Sequence, residues 1–387
     1  MKKKIAIIGS TGSIGKSLLK IVKKNQKDFE IILLTANKNY KKLLNQTKTH
    51  KVKNVIITDF NCYLKFKKIN TNKNLKIFNN FQYLNRIFKS KIDYVMSSII
   101  GLNGLDPTIK IIKHTKTIAI ANKESIICGW NLIDKELKRN KTSFIPVDSE
   151  HFSIWYALKK THNLNINKIV LTASGGPLLK IPLNKINKLK TKDIVKHPNW
   201  SMGKKISVDS STMINKVFEI IEAKNIFKIN LDQLSILIHP KSYIHAILAF
   251  NDGMIKIIAH ETTMEIPIFN SVYNNEKKYL SSRDIDINKI NNLNLSKVDK
   301  NKFLLIKILS MIPDKLSLFE TVLVSANDEL VSLYLDGKIK YMDISKILLK
   351  TLKLNEFNRY KKIKPKKISD ITKLDKYVRL KINAKSV

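Results

Sequence analysis

The sequence contains few cysteines and no long hydrophobic run. Cys62 and Cys128 are the two cysteines among 387 residues, which excludes a disulfide framework and is typical of a reducing cytoplasm. No apolar run reaches the roughly 18 residues of a membrane helix, so we expect no membrane partner. The apolar residues after Met1 stop short of the roughly 7–15 found in a signal peptide and lead directly into a glycine-rich turn. They are more typical of a first strand.

Acidic residues are also scarce. Lysine and arginine number 71 against 31 aspartates and glutamates, which leaves a formal net charge of +40. Such a charge is typical of nucleic-acid-binding proteins. However, the lysines are spread along the whole chain, and no segment interleaves aromatic with basic residues as a base-stacking surface requires. We therefore interpret the charge mainly as a solvated surface that also attracts anionic substrates, and we expect no nucleic-acid partner.

The apolar segments predict an α/β protein with more than one domain. Up to about residue 147, short apolar strands alternate with lysine-rich helical stretches, as in a doubly wound parallel sheet. Between about 234 and 268 the alternation is that of antiparallel strands with a hairpin turn at 251–253, and helical periodicity follows residue 302. We predict an N-terminal Rossmann-like domain, a central α/β domain, a linker, and a C-terminal helical bundle. Their limits are 1–147, 148–273, 274–300 and 301–387.

A glycine-rich turn follows the first predicted strand. Gly9, Gly12 and Gly15 let the backbone approach a pyrophosphate at the N-terminus of the next helix. The spacing is GxxGxxG rather than the commoner GxGxxG, so an ordinary strand-to-helix turn is the alternative. After the second strand, Lys38 stands where NAD enzymes place an acid for the ribose hydroxyls, which favours NADP. In so basic a chain, Lys38 as a plain surface residue is the competing interpretation.

Three acidic residues are candidates for a metal site. Asp148 and Glu150 follow a predicted strand at Ile145–Val147 and project to one side of it. Glu219 has no obvious helical pairing partner and lies one turn from Asn215 and Lys216. Such carboxylates suit Mg2+ or Mn2+ better than zinc. The alternative is that Asp148 caps a helix that begins near residue 152, with Glu150 in its first turn.

Further polar residues lie at the ends of predicted elements. Lys123 and Glu124 follow a strand at the end where doubly wound sheets bind ligands, unless they form a buried ion pair. Ser174 precedes two glycines in a turn that is either a plain loop or an anion-binding nest. His197 and Trp200 lie in a loop that we interpret as a lid closing on a ligand, the alternative being a loop packed permanently on the core.

A phosphate site is predicted shortly after this loop. Ser210, Asn215 and Lys216 precede Glu219 on one amphipathic element. A phosphate requires several hydrogen-bond donors and at least one cation, and these residues provide both. Polar caps on a core helix are the competing explanation.

Taken together, the motifs resemble one family, 1-deoxy-D-xylulose 5-phosphate reductoisomerase, over nearly the whole chain. The motifs are GSTGSIG (9–15), ANKE (121–124), PVDSEH (146–151), ASGGP (173–177), HPNWSMGKKISVDSSTMINK (197–216), IHP with SYIHA (238–246) and ANDE (326–329). Their shared order and spacing make the resemblance specific. It implies a cytoplasmic, homodimeric enzyme that isomerises its sugar-phosphate substrate and reduces the product with NADPH to 2-C-methyl-D-erythritol 4-phosphate, using Mg2+ or Mn2+.

The resemblance also implies that residues 1–147 form the NADPH-binding domain and that residues 148–273 form the catalytic domain, which binds the metal and the substrate. It further implies a role for individual residues. The metal ligands are Asp148, Glu150 and Glu219. The catalytic residues are Lys123, Asp148, Glu150, His197 and Glu219. The substrate contacts are Lys123, Ser149, Glu150, Ser174, His197, Trp200, Ser210, Asn215, Lys216 and Glu219. The cofactor contacts are Gly9, Ser10, Thr11, Gly12, Ser13, Ile14, Lys38, Asn39, Asn122, Glu124 and Gly203.

Some positions depart from the family pattern. Asn37 replaces a common glycine in the cofactor turn, and Val217-Phe218 replaces a Gly-Leu pair before Glu219. Lys241 replaces a usual glutamine, while His260 and Glu265, in a predicted strand region, replace glycine and arginine and weaken the expectation of a family-like dimer. The rival functions are another NADP-dependent dehydrogenase, of the sugar-phosphate or homoserine type, and a basic nucleic-acid-binding protein.

Overall fold

The computed structural model describes residues 1–159, 166–186, 189–200, 202–274, 276–281 and 285–386. Twelve strands lie in these ranges. They are β1 Lys3–Ile8, β2 Phe29–Ala36, β3 Asn54–Ile57, β4 Lys76–Phe78, β5 Ile92–Ser97, β6 Thr115–Ile120, β7 Ser143–Pro146, β8 Ile166–Ala173, β9 Leu234–Ile238, β10 Ile244–Phe250, β11 Ile255–Ala259 and β12 Ser296–Lys297.

The α-helices of the same ranges connect and cover these strands. They are α1 Ser13–Lys24, α2 Tyr40–His50, α3 Phe60–Ile69, α4 Leu84–Ile87, α5 Leu105–Ile112, α6 Lys123–Arg139, α7 Ser149–Leu158, α8 Leu183–Ile186, α9 Thr191–Ile194, α10 Lys204–Ser211, α11 Ile214–Phe227, α12 Glu265–Val272, α13 Ile287–Asn291, α14 Phe319–Leu335, α15 Tyr341–Lys353, α16 Asn355–Asn358 and α17 Ile368–Ser386.

The chain forms two compact units. The first comprises Met1–Ser125, Leu132–Asp148 and Met264–Ser281, and the second comprises Ile126–Asn131, Ser149–Thr263 and Ser282–Val387. Residues 264–281 therefore return to the first unit after much of the second has been formed. No periodicity in the sequence indicated that return.

The first unit is built on a seven-stranded parallel sheet. Its strand order is β4-β3-β2-β1-β5-β6-β7. Parallel strands are covered on both faces, and the continuous buried run Ile5–Ile8 of β1 shows the apolar sequence that this burial requires. The order reverses between β1 and β5, where Ile8 pairs with Ser97 at the carboxyl ends of the two strands. The prediction of a doubly wound α/β fold is confirmed.

The second unit contains a five-stranded mixed sheet in the order β11-β10-β8-β9-β12. The predicted hairpin at 251–253 is confirmed, with Gly253 in the left-handed region (φ +85°) between β10 and β11. The prediction of antiparallel strands throughout 234–268 is wrong in two respects. Strand β9 pairs in parallel with β8, and Glu265–Val272 is helix α12. Pro267 lies in the first turn of this helix, where proline is tolerated.

The C-terminal region is helical, as predicted, and the helices continue into its lysine-rich end. The segment Leu304–Met311 forms a 3-10 helix rather than an α-helix. The lysine-rich C-terminal segment forms α17, whose Ile371, Val378 and Ile382 are buried. Their spacing of seven and four residues puts one apolar stripe of α17 on the core side. Within the predicted linker, β12 extends the second sheet by pairing with β9.

His114 makes the stability of the first unit sensitive to acid. Its side chain is buried beside Phe88, and burial, with the charge of Lys113, lowers its pKa from 6.5 to about 4. As the pH falls below 6.5, the unfolded chain gains a proton that the folded chain excludes, so stability decreases until the pH reaches about 4. We expect His114→Leu to remove about 2–3 kcal/mol of the loss between pH 7.5 and pH 4.5. Urea unfolding of both proteins across this range measures it, and equal pH slopes would contradict the assignment.

Candidate active site

Glu150 lies at the start of α7. The helix begins at Ser149, three residues before the predicted position near Phe152, which brings Glu150 into its first turn, where a carboxylate interacts favourably with the helix dipole. The Ser149 hydroxyl donates to Glu150 Oε2 at 2.6 Å, and Lys216 Nζ donates to Glu150 Oε1 at 2.7 Å. Both carboxylate oxygens of Glu150 are therefore engaged.

Glu219 faces the same lysine from α11. Asn215 Nδ2 donates to Glu219 Oε1, and Lys216 Nζ contacts Glu219 Oε2. The prediction that Asn215, Lys216 and Glu219 share one side of a helix agrees with this geometry. The view of Glu219 as an acid with no helical partner is wrong, because Lys216, three residues earlier, pairs with it. One carboxylate oxygen of Glu219 lies within 4.8 Å of one of Glu150.

The Lys216 ammonium lies between the half-buried carboxylate of Glu150 and the buried carboxylate of Glu219. Its side chain is only 5% exposed. Burial opposes the charge, but Glu150 and Glu219 outweigh it and hold the pKa of Lys216 above its ordinary value. The position therefore favours a cation. Two converging carboxylates with few competing ligands also fit a hard divalent ion of the Mg2+ type.

A buried pair behind the acids was missed from the sequence. His151 is fully buried; its Nε2 lies 2.9 Å from the Glu219 carbonyl oxygen and its Nδ1 lies 3.4 Å from Glu222 Oε2. The contact with the Glu219 carbonyl joins α7 to α11, the two helices that carry Glu150 and Glu219. A sequence signal existed, since Glu222 follows Glu219 by three residues and His151 follows Glu150 directly.

Lys123 and Asp148 pair within the first unit. Lys123 Nζ lies 2.8 Å from Asp148 Oδ2, with side-chain exposures of 11% and 23%. Asn122 caps α6 by accepting from the backbone N–H of Ser125 at 2.7 Å, which sets the direction in which the helix starts. Glu124 is buried in the first turn of α6. Only Ser149 separates Asp148 from Glu150 along the chain.

The glycine-rich turn has the close packing that requires glycine. Gly9 lies in the left-handed region (φ +89°), and a Cβ on Gly15 would lie 2.5 Å from the Cα of Ser10. Helix α1 begins at Ser13, and its N-cap residue, Gly12, has no side chain to cap it. The backbone N–H groups of the first turn, including those of Ser13 and Ile14, can therefore bind an anion. Thr11 is half-buried in the same turn.

Ser10 is held by a residue that the sequence did not indicate. Its hydroxyl donates to Gln46 Oε1 at 2.7 Å, and Gln46 Nε2 donates to the Ser10 carbonyl at 2.9 Å. Ser10 is fully buried, so its side chain supports the turn from within. Beyond β2, Lys38 and Asn39 are exposed, and Asn37 donates to Thr58 Oγ1 at 2.8 Å.

Ser174 and His197 meet in the second unit. Ser174 Oγ accepts from the Gly176 N–H at 3.0 Å and lies 3.0 Å from His197 Nε2. His197 Nδ1 accepts from the N–H groups of Asn199 and Trp200 at 3.1 and 3.0 Å, so the ring proton is on Nε2 and points to Ser174. Burial lowers the pKa of His197 to about 4, and the ring is neutral at pH 7. The Ser174 hydroxyl, which accepts twice, keeps its own hydrogen for a third group.

Ser210 and Asn215 lie on two helices rather than on the single element predicted. Helix α10 ends at Ser211, and Met213, in the left-handed region (φ +63°), redirects the chain into α11. Gly176 also has positive φ (+66°), and a Cβ there would lie 2.9 Å from the Ser210 carbonyl oxygen. The glycine therefore allows the Ser174 turn to approach the end of α10 directly.

The predicted lid is anchored at its start. Asn199, another residue missed from the sequence, donates through Nδ2 to the Pro240 carbonyl at 2.6 Å and to Ser242 Oγ at 2.9 Å. Trp200 is half-buried with its ring centroid 6.2 Å from that of His245, in an edge-on arrangement. Gly203 is exposed immediately before α10.

His260 and Glu265 do not lie in strands. His260 follows β11 and stacks on His245 with a centroid distance of 3.8 Å. Glu265 begins α12 and pairs with Lys24 at 3.3 Å. The assignment of both to a strand region is wrong, because β11 ends at Ala259 and residues 265–272 form a helix.

Comparison with known proteins identifies the family. Its three models, described as 1-deoxy-D-xylulose 5-phosphate reductoisomerase, its C-terminal domain and the DXP reductoisomerase C-terminal domain, match residues 5–129, 144–227 and 260–381. The chain belongs to the 1-deoxy-D-xylulose 5-phosphate reductoisomerase family. The reductoisomerase of Pelagibacter ubique (strain HTCC1062) is 59% identical over 387 residues, all of both chains. That of Sulfurihydrogenibium sp. is 35% identical over 92% of each chain.

Solved reductoisomerase structures share the whole fold. The Zymomonas mobilis enzyme in complex with NADPH is similar with a TM-score of 0.87 and 30% identity, covering 100% of this chain and 99% of that one. A reductoisomerase in complex with NADPH, fosmidomycin and magnesium has a TM-score of 0.91 and 28% identity, covering 99% and 98%. The family assignment confirms the resemblance seen in the sequence.

Proposed function

We propose that this protein converts 1-deoxy-D-xylulose 5-phosphate into 2-C-methyl-D-erythritol 4-phosphate, in non-mevalonate isoprenoid biosynthesis. The observation that carries the proposal is the convergence of Glu150 and Glu219 on one buried cation position at Lys216. The reductoisomerases of similar fold contain NADPH and magnesium, and the chain has a glycine-rich turn suited to the first and a carboxylate cluster suited to the second.

Asp148, Glu150 and Glu219 are the residues that would hold the divalent ion. Asp148 is two residues from Glu150 in the chain, and Glu150 and Glu219 converge through α7 and α11. When bound, Mg2+ or Mn2+ polarises the substrate carbonyl and lowers the pKa of the adjacent hydroxyl. Lys123, whose Nζ lies 2.8 Å from Asp148 Oδ2, would donate a hydrogen bond to these oxygens. Ser149, which donates to Glu150, would contact the substrate hydroxyls.

The phosphate of the substrate is assigned to donors of the second unit. Ser174 keeps a hydroxyl hydrogen for it, Ser210 lies against the same turn, and Asn215 and Lys216 begin α11. Charge-assisted hydrogen bonds from Lys216 supply binding energy remote from the reacting carbons, which orients the substrate. His197, a neutral donor to Ser174, and Trp200 exclude water when the lid closes.

NADPH supplies the hydride in this proposal. Gly9, Gly12 and the first N–H groups of α1 bind the pyrophosphate, and exposed Lys38 and Asn39 at the end of β2 bind the 2′-phosphate. The test is direct. Purified protein with 1-deoxy-D-xylulose 5-phosphate, NADPH and Mg2+ or Mn2+ should lose the absorbance of the reduced nicotinamide, and no loss with either metal would refute the function. Salt-sensitive binding to nucleic acid that NADPH and substrate do not compete away would instead favour a basic nucleic-acid-binding protein.

We further propose a cytoplasmic homodimer that pairs through β11. Two cysteines among 387 residues suit a reducing compartment. In the described part of the chain β11 is an outer strand with exposed apolar side chains, Ile255 and Ile257, and the exposed Met254 directly precedes it. A second copy offers the same edge in antiparallel, self-complementary orientation. Described helices include none with the length and apolar character needed to span a membrane.

Ile257→Lys is expected to convert the dimer into a monomer. Its side chain is 50% exposed on β11, and a pair of lysines across a twofold axis would repel. Light scattering after size-exclusion chromatography measures the molar mass. Leu183→Lys, at another exposed apolar position, is the matched control and should remain dimeric. A monomeric parent protein, or a dimeric Ile257→Lys variant, would contradict the interface.

A further inference from the structure

The ANDE segment of α14 contacts the helix that carries Ser210. Asn327 Nδ2 donates to Asp209 Oδ1 at 2.8 Å, and both residues are buried. Lys205 Nζ lies 3.2 Å from Asp209 Oδ2 and 2.9 Å from Asp328 Oδ1. Two consecutive residues of α14 therefore contact α10. Asn327 donates a hydrogen bond to Asp209, and Asp328 forms an ion pair with Lys205.

This network addresses an electrostatic problem at the predicted phosphate site. Asp209 is 2% exposed and precedes Ser210 directly, so an uncompensated carboxylate would repel an incoming dianion. The Asn327 amide and the Lys205 ammonium both face that carboxylate. Asp328, which shares Lys205, is in turn paired with Arg379 at 3.1 Å, so its own charge is balanced.

The position of Ser210 depends on the same contacts. Because a Cβ on Gly176 would lie 2.9 Å from the Ser210 carbonyl, the end of α10 and the Ser174 turn have no room between them. A tilt of α10 would change the spacing between the two serine hydroxyls. A buried side-chain amide without a hydrogen bond lowers the stability of the fold, and the Asn327 amide satisfies this requirement by donating to Asp209.

We propose that Asn327 and Asp328 are positioning residues for phosphate binding. They orient α10 so that Ser210 faces the Ser174 turn, and they compensate the charge of Asp209 next to the bound phosphate. The proposal rests on the proposed function, in which Ser174 and Ser210 bind the substrate phosphate. It gives the C-terminal helices a part in substrate affinity, which the sequence motif alone did not assign.

The test uses two variants of the full-length enzyme, the single variant Asn327→Asp and the double variant Asp209→Asn, Asn327→Asp. Asn327→Asp places a second carboxylate against Asp209, and we expect the inhibition constant of inorganic phosphate and the KM for the sugar phosphate to rise about tenfold or more. The KM for NADPH should stay within about twofold, since the residues assigned to the pyrophosphate and the 2′-phosphate, Gly9, Gly12, Lys38 and Asn39, lie in the first unit. In the Asp209→Asn, Asn327→Asp double variant the amide and carboxylate exchange places, and phosphate affinity should return to within about threefold of the parent.

Two controls separate positioning from general destabilisation. Glu329→Gln changes the next residue of α14, which pairs with Arg379 and Asn383 and not with α10, and should leave phosphate affinity unchanged. Asn327→Ser, which loses the bond without adding charge, gives the same readout should Asn327→Asp fail to fold, with an expected rise of about threefold or more.

The outcomes separate a failure of the positioning role from a failure of the phosphate assignment in the proposed function. If Ser210→Ala weakens phosphate binding but Asn327→Asp and Asn327→Ser do not, the positioning role is overturned and the proposed function stands. If Ser210→Ala leaves phosphate binding unchanged, the phosphate assignment itself fails and the positioning role fails with it. A rise in the KM for NADPH equal to that for the sugar phosphate would also overturn the role, since it would indicate general damage.

Discussion

Glu150→Gln is expected to lower turnover by about 10²-fold or more while folding and NADPH binding are preserved. The amide has the shape of the carboxylate but neither its charge nor its full ability to bind a hard cation. It also removes the charge that Lys216 neutralises at 2.7 Å. Steady-state turnover at limiting and saturating Mg2+, with NADPH affinity from fluorescence titration, measures both effects.

Two other glutamates, Glu219 and Glu30, provide comparison variants. Glu219→Gln should act in the same direction, because Glu219 shares the cation position. Glu30→Gln changes a surface acid that lies 3.9 Å from Lys53 and should leave turnover unchanged. Turnover of Glu150→Gln that equals the parent value at limiting Mg2+ would remove Glu150 from the metal site.

Lys216→Met is expected to change metal and substrate affinity in opposite directions. The ammonium lies between Glu150 and Glu219, so a divalent ion has to compete with it, and its removal should tighten Mn2+ binding by about tenfold. The same change removes a charge-assisted bond to the substrate phosphate, worth about 1.5–3 kcal/mol, so the KM for the sugar phosphate should rise about 10- to 100-fold.

Stability provides an independent measurement of the same variant. Without metal, Glu150 and Glu219 would face one another without the Lys216 ammonium between them, and the melting temperature should fall below that of the parent. Added Mg2+ should restore it, because a ligand that binds only the folded state stabilises that state. Weaker rather than tighter Mn2+ binding, measured by calorimetry, would show that the ion occupies a different position.

Much of the site could be predicted because its residues follow directly from elements with clear periodicity. Asn215, Lys216 and Glu219 were predicted to share one helical face, and α11 has that geometry. The predicted start of α7 was less accurate, because only Val147 and Asp148 separate β7 from the helix, which begins at Ser149. The predicted strand region extends to about residue 268 because Ile266 and Ile268 alternate with Glu265 and Pro267, a pattern that short helices share.

The sequence by itself determined the family, the parallel nucleotide-binding sheet and the identity of the polar residues, because strand and helix periodicities and motif spacing are local properties. The tertiary structure alone decided which of those residues meet. Lys216 and Glu150 are 66 positions apart, and their contact depends on how α7 and α11 pack. The same applies to Gln46 beneath Ser10 and to Asn327 on Asp209. Hydrogen bonds and ion pairs between distant elements leave no periodic signal in a sequence, since only folding brings their atoms within about 3 Å.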